Sequence, residues 1–176
     1  YMSPSAFAGN ELLIDLTQLR DAGWLTDANV VPPVGVKENQ INYQAVRLFR
    51  MSRLRMAAER FFADARRNAH KEFSEFCAKN SRWLNDYALF MALDKSHGGR
   101  GKVWQNWPAG LAQRKPKALK EAADKLADEC NFLKFCQWRF DRQWAILKKY
   151  ANEHGVRIVG DIPIFVSAHS ADVWAH

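Results

Sequence analysis

One carboxylate stands inside a short apolar run near the C-terminal end of the sequence. The run VRIVGDIPIFV occupies residues 156–166, and Asp161 follows Gly160 within it. A short apolar segment after a long helical pattern is typical of a parallel strand covered on both faces. In a (β/α)-barrel, a carboxylate that ends such a strand lies on the face that carries the chemistry. Asp161 is therefore a candidate site residue, although an Asp beside Gly and Pro also commonly caps a turn.

The remaining residues that could support chemistry give weaker signals. Cys77, Cys130 and Cys136 have neither the spacing of metal ligands nor a neighbouring His, so we expect reduced core thiols. The glycine-rich stretch SHGGRG at residues 96–101 lacks the spacing of a phosphate-binding loop. The sequence therefore predicts no metal site and no cofactor.

Most of the sequence is predicted to be helical, so helices must position any side chains that take part in chemistry. Apolar residues recur at helical spacing from Ile41 onwards, which predicts one helix there and a second over about residues 71–93. The second helix contains a plausible N-cap at Asn80 or Ser81 that would divide it. Residues 115–155 predict one long helix or a broken pair that stops at Gly155. The predicted strand at residues 156–166 then follows.

The charge distribution leaves a second class of function open. The formal net charge is +7, and residues 47–82 contain ten basic and four acidic side chains. Such a block could mark a basic helical module that binds polyanions. Its basic residues are interleaved with apolar ones at helical spacing, which favours a solvated helix face instead. No run of about eighteen apolar residues is present, so we expect no membrane span.

Several segments resemble a known enzyme family. They are YMSPSAFAGN at residues 1–10, FSEFCAKNSRWLNDYALFMAL at 73–93, WQNWPAGL at 104–111, GDIPIFV at 160–166 and SADVWA at 170–175. These motifs are similar to those of the amylomaltases, the 4-alpha-glucanotransferases of glycoside hydrolase family seventy-seven. The similarity is spread over essentially the whole chain. The pair Trp104 and Trp107 suggests a sugar platform, but internal packing is the interpretation we favour.

The resemblance implies a fold and a domain organisation. We expect an α/β chain that is part of a (β/α)8 TIM barrel carrying a large helical insertion. Residues 1–39 would form a barrel loop and connecting segment, and residues 40–115 a helical insertion subdomain. Residues 116–176 would form a long helix that returns to a barrel strand and its following loop. A complete barrel needs about 250 residues, so we expect an internal piece of a larger, cytoplasmic enzyme.

The resemblance also implies the activity and the site residues. The enzyme would move maltooligosaccharide segments between α-1,4-glucans by a retaining double displacement, although hydrolysis stays open. Tyr1 would line the sugar site, Asp161 would contact sugar near the cleavage point, and His169 would stand near the site in place of an acidic residue. Asp172 and Trp174 would anchor the following helix. The nucleophilic Asp and the acid/base Glu are expected beyond His176, so none of these residues is catalytic and the chain alone could be inert.

Overall fold

The computed structural model describes residues 3–32, 40–64, 67–98, 103–161 and 165–176. These residues form α-helices, with two short 3₁₀ turns at Glu11–Leu13 and Trp104–Asn106. The helices are α1 (Leu16–Asp21), α2 (Asp27–Val30), α3 (Tyr43–Ala63), α4 (Arg67–Lys79), α5 (Ser81–Ser96), α6 (Ala109–Ala112), α7 (Pro116–Lys125), α8 (Ala127–Glu153) and α9 (Ala171–Ala175). The predicted predominance of helix is confirmed.

Local capping explains where the long helices begin and end. The side chain of Asn42 accepts a hydrogen bond from the Ala45 amide at 3.0 Å and caps α3. At the end of α8, Gly155 takes a φ of +75°, a left-handed conformation that glycine adopts without strain. The next amide, that of Val156, donates back to the Ala151 carbonyl at 2.9 Å. This pattern ends a helix at glycine, as the sequence predicted.

Both long helical segments are divided in the structure, although the sequence left one continuous helix open for the second. The predicted helix at residues 71–93 is broken at Asn80, which separates α4 from α5. Asn80 donates from its side-chain amide to the Phe76 carbonyl at 2.9 Å and accepts from the Trp83 indole at 3.2 Å. The predicted helix at residues 115–155 is the broken pair α7 and α8, which meet at Leu126.

A single aromatic-rich core holds the helices together. Helix α5 packs against α8 and α9, while α3 and α4 pack on α8. Phe61 is fully buried, and its ring lies 5.2 Å from the centroids of both Phe135 and Trp138. Because helices from residues 40–115 and 116–176 share this core, the two segments pack directly on each other; the proposed domain boundaries stay a prediction. None of the described helices has the length and hydropathy required to cross a membrane.

The predicted strand is wrong for the described part of residues 156–166. Residues 156–161 and 165–166 have no strand conformation, and residues 162–164 lie outside the described part. The run is also not covered on two faces, since Val159 is 90% exposed and Phe165 is 78% exposed. A strand is defined by backbone hydrogen bonds to a neighbour. The described residues contain no other strand for this segment to pair with.

Candidate functional site

The loop at residues 3–10 contacts α9, although the two segments lie near opposite ends of the sequence. The Ala171 amide donates to the Pro4 carbonyl at 2.8 Å. Asp172 accepts the Ser5 hydroxyl at 3.1 Å with Oδ1 and the Ala6 amide at 2.6 Å with Oδ2. These bonds join two of the segments that carry the family resemblance, residues 1–10 and 170–175. The predicted anchoring role of Asp172 therefore extends to this loop.

A second contact holds the same loop to α8. The Gln137 side chain accepts from the Gly9 amide at 2.8 Å and donates to the Gly9 carbonyl at 3.0 Å. Gln137 is only 3% exposed, and it also donates to the Tyr87 hydroxyl at 3.4 Å. Burial raises the pKa of Tyr87 well above its usual range, so this hydroxyl stays neutral. Gly9 lies so close to Phe140 that an added Cβ would come within 2.1 Å of the ring.

The same arrangement recurs six residues further along both segments. The Gln143 side chain accepts from the Asp15 amide at 2.7 Å and donates to the Asp15 carbonyl at 3.0 Å. Asp15 in turn caps α1, because its carboxylate accepts the Thr17 amide at 2.8 Å. The chain from residue 9 to residue 15 is therefore fixed to α8 at both ends.

His169 lies in the connection before α9, with both ring nitrogens hydrogen-bonded. Its Nε2 is 2.8 Å from Asp94 Oδ1, and its Nδ1 accepts the Trp104 amide at 3.3 Å. Because Nδ1 accepts a hydrogen bond, the ring hydrogen is assigned to Nε2, which donates to Asp94. The Phe90 ring lies 5.3 Å from the imidazole. His169 therefore ties the connection to α5 and to the turn at Trp104.

The two tryptophans of the 104–111 motif have different surroundings. Trp107 is 4% exposed and packs against Phe90 and His97 at 5.4 and 5.5 Å between ring centroids. The prediction of internal packing is confirmed for Trp107. Trp104 is half-buried, and its indole donates to the Ala168 carbonyl at 2.9 Å. Trp104 therefore helps to fix the connection that leads into α9.

Trp174 fixes α9 in the core, as the sequence predicted. It is 3% exposed, and its indole donates to the Leu111 carbonyl at 3.0 Å. The Arg114 guanidinium lies 4.4 Å from the centre of the Trp174 ring and pairs with Asp86 at 2.7 Å. The position of α9 is thus set by hydrogen bonding, ring contacts and an adjacent ion pair.

Two of the predicted sugar-binding residues are not brought together by the described part of the chain. Asp161 is exposed and lies in the irregular segment after α8. Tyr1 lies outside the described residues. Their expected roles at the sugar site therefore stay a prediction. Among the three predicted residues, His169 is the one whose contacts with other elements the structure gives in detail.

Metal or thiol chemistry finds no support in the described residues. They contain no group of three or more His, Cys, Asp or Glu side chains placed to hold a metal ion. All three cysteines are free thiols. Burial raises the pKa of Cys136, and it raises the pKa of Cys77 and Cys130 as well. Because the nucleophilic form of cysteine is the thiolate, these buried thiols are poorly suited to react.

The basic helix α3 uses its arginines to hold other parts of the chain. Arg55 pairs with Glu129 of α8 at 2.7 Å, and Lys95 of α5 pairs with the same carboxylate at 3.0 Å. Arg47 pairs with Glu11 at 3.3 Å. Arg50, Arg53 and Arg60 donate to backbone carbonyls. A large share of the positive charge that suggested polyanion binding is therefore engaged within the protein.

The comparisons with known proteins agree with the family resemblance. The family model described as 4-alpha-glucanotransferase matches residues 1–176. The chain belongs to the 4-alpha-glucanotransferase family. A 4-alpha-glucanotransferase of Thermus thermophilus is 42% identical over 176 residues, and one of Synechocystis is 37% identical over 176 residues. Each alignment covers 100% of this chain and 34% of the relative. The chain thus spans about a third of the length of the relatives it matches.

A solved member of the 4-alpha-glucanotransferase family has a similar structure. The amylomaltase from Streptococcus agalactiae in complex with acarbose superimposes with a TM-score of 0.89 at 32% identity, over 99% of this chain and 34% of that one. The helical arrangement described above is therefore shared with an amylomaltase.

Sequence reasoning about this chain missed Gln137, Gln143 and the partners of Asp172. Gln137 and Asp172 bond to loop residues that are 128 and 166–167 positions away in sequence. One feature of the sequence could have indicated the contact of Gln137, namely that this polar residue lies on the apolar face of α8. A buried amide in such a place requires hydrogen-bond partners.

Proposed function

We propose that the full-length protein containing this chain is a 4-alpha-glucanotransferase that transfers α-1,4-glucan segments between glucans. The observation that carries the proposal is the family match over all 176 residues. The similarity to an amylomaltase structure along 99% of the chain supports it independently of the motifs. On this proposal, the helical chain belongs to a (β/α)8 barrel with a helical insertion, and the enzyme works in the cytoplasm.

The proposed reaction is a retaining double displacement. One carboxylate attacks the anomeric carbon, and a second carboxyl group about 5–5.5 Å away protonates the leaving oxygen. A sugar hydroxyl then attacks the anomeric carbon and displaces the enzyme carboxylate, while the second carboxyl group, now ionised, takes the proton of that hydroxyl. The glycosidic bond is thus exchanged without net hydrolysis, and both carboxyl groups return to their starting states. We expect both carboxyl groups outside residues 1–176. The residues of this chain would bind and orient glucan, and no cofactor is needed for this chemistry.

Tyr1 and Asp161 are the proposed sugar contacts, and His169 borders the same site. An aromatic face such as that of Tyr1 packs on the C–H face of a glucose ring while its hydroxyl stays in water. The Asp161 carboxylate would accept hydrogen bonds from sugar hydroxyls. The acarbose complex of the Streptococcus agalactiae amylomaltase supports a glucan groove in the full-length protein. The exposure of Asp161 is compatible with this role.

Disproportionation of maltotriose by the full-length protein tests the proposal. A transferase converts maltotriose into glucose and longer maltooligosaccharides while the number of reducing ends stays constant. Chromatography of the products and a reducing-end assay on the same samples measure both quantities. A steady rise in reducing ends would show a hydrolase, and unchanged maltotriose would refute the proposed activity.

A further inference from the structure

We propose that Asp172 is a positioning residue for the loop at residues 3–7, and that it sets the affinity of the enzyme for glucan through this loop. The inference rests on the proposed glucanotransferase function, because the loop directly follows Tyr1, a proposed sugar contact. Asp172 itself would not touch the substrate. Its action would be to hold the loop in the conformation that binds sugar.

Both oxygens of the Asp172 carboxylate are used by the loop. Oδ1 accepts the Ser5 hydroxyl at 3.1 Å, and Oδ2 accepts the Ala6 amide at 2.6 Å. Hydrogen bonds to an ionised acceptor are shorter and stronger than those between neutral groups. Two of them on consecutive residues fix both the direction and the rotation of the backbone at this point. Asp172 is therefore well placed to determine the shape of the loop.

The other hydrogen bonds within residues 3–7 involve Ser5. The Ser5 hydroxyl donates to Asp172 and accepts the Phe7 amide at 3.2 Å. The Ser5 carbonyl accepts the Ser3 hydroxyl at 2.6 Å. Ser5 is only 2% exposed, so water does not readily replace a lost partner. Removing Asp172 would leave the buried hydroxyl without its acceptor and loosen residues 3–7 together.

Asp172 is itself fixed on a rigid support. It lies in the first turn of α9, where the Ser170 hydroxyl caps the helix by accepting the Val173 amide at 3.2 Å. Trp174, two residues on, is buried and bonded to the Leu111 carbonyl. The Ala171 amide adds a bond to the Pro4 carbonyl at 2.8 Å. Because α9 is held in this way, the Asp172 carboxylate offers the loop a hydrogen-bond acceptor in a fixed position.

The expected kinetic effect follows from this indirect role. A loop that contacts sugar in both the ground state and the transition state changes KM, whereas a group that acts on the reacting atoms changes kcat. In the full-length protein acting on maltotriose, Asp172→Ala should raise KM about tenfold and change kcat by less than about threefold. Asp172→Asn keeps an acceptor oxygen for the Ala6 amide and should stay within about threefold of the unmodified protein in both constants.

Two further variants separate positioning from general stability. Ser5→Ala removes the hydroxyl that Asp172 accepts, so the effects of Ser5→Ala and Asp172→Ala on KM should be less than additive in the double variant. Asp128→Ala is the matched control, because Asp128 also lies in the first turn of a helix but is exposed. It removes the same charge from the same helical position and should leave KM unchanged.

Amide hydrogen exchange gives a measurement that does not depend on activity. Asp172→Ala should speed exchange at Ala6 and Phe7 about tenfold or more, while Asp128→Ala should not. A lowered melting temperature with unchanged KM would overturn the inference, because Asp172 would then be a structural anchor only. A hundredfold loss of kcat at unchanged KM would overturn it as well, since Asp172 would then act on the reaction itself. If the unmodified protein transfers no glucan, the proposed function is refuted. Independently of that result, unchanged amide exchange at Ala6 in Asp172→Ala would refute the claim that Asp172 positions the loop.

Discussion

The contact between Gly9 and Phe140 gives a quantitative prediction about the loop. A Cβ on residue 9 would lie 2.1 Å from Phe140 Cδ1 and 2.3 Å from Cε1. Carbon atoms pack at about 3.5–4.0 Å, so Gly9→Ala requires a separation of about 1.5 Å. The loop cannot move by that amount and keep the two Gln137 bonds at 2.8 and 3.0 Å. Either the Phe140 ring is displaced or the Gln137 contact is lost.

Both outcomes reduce stability by a similar amount. Inserting a methyl group into a packed site costs about 1–3 kcal/mol, and each lost hydrogen bond costs about 1 kcal/mol. The loss of glycine flexibility in the unfolded chain offsets about 0.4–1 kcal/mol. We therefore expect Gly9→Ala to lower the free energy of opening of this loop by about 1.4 kcal/mol, which corresponds to about tenfold faster amide exchange at residue 9.

The assay is native-state hydrogen exchange on the full-length protein with two companion variants. Phe140→Leu removes the ring carbons that meet the new methyl group, so the double variant should recover about half of the loss. Gly160→Ala is the control, because a Cβ there meets nothing within 4 Å, and it should change stability by less than about 0.5 kcal/mol. The steric argument is refuted if Gly9→Ala exchanges no faster than the control, or if Phe140→Leu gives no recovery.

Three other predictions concern the site and the charges. In the full-length enzyme, Asp161→Asn should lower turnover about ten- to a hundredfold with an unchanged melting temperature; a lower melting temperature at normal specific activity would show a turn cap instead. Pure protein consisting of residues 1–176 should not disproportionate maltotriose, and activity above a buffer control would contradict the expectation that both catalytic carboxyl groups lie outside these residues. Burial acts to raise the pKa of Glu129, but the bonds from Arg55 and Lys95 outweigh it and hold this pKa below its ordinary value of 4.5. The stabilisation by Glu129 is therefore present above that value and lost as the pH falls through the lower folded pKa. The stability difference between the unmodified protein and Glu129→Gln should accordingly disappear in acid, and a pH-independent difference would contradict the ion pairing.

The helices could be predicted from the sequence because their signals are local. The periodicity of α3 and α8, the division at Asn80 and the stop at Gly155 each depend on residues within a few turns of one another. The family resemblance could also be found in the sequence, since it rests on contiguous motifs. The sequence favoured packing for Trp104 and Trp107 alike, and only the tertiary structure distinguishes the buried Trp107 from the half-buried Trp104.

The strand and the loop contacts could not be predicted in the same way. The run at residues 156–166 has the composition of a strand, but a strand also needs a neighbour that the described residues do not contain. The contacts of Gln137 with Gly9 and of Asp172 with Ser5 join residues more than a hundred positions apart. Local sequence patterns do not indicate which residues come into contact across such separations in sequence. The pairing of His169 with Asp94 was missed for the same reason.

The two glutamine contacts give the segment between Gly9 and Asp15 a fixed length. Gln137 and Gln143 are separated by the same interval along α8 as the residues they hold, and both segments run in the same direction. Six residues of helix rise about 9 Å, so the connecting segment must span the distance that α8 sets. An insertion or deletion there would pull one backbone contact away from its glutamine. Protein engineers who lengthen loops or graft sequences into this fold should therefore leave the residue count of this segment unchanged, even where its individual side chains are exposed and replaceable.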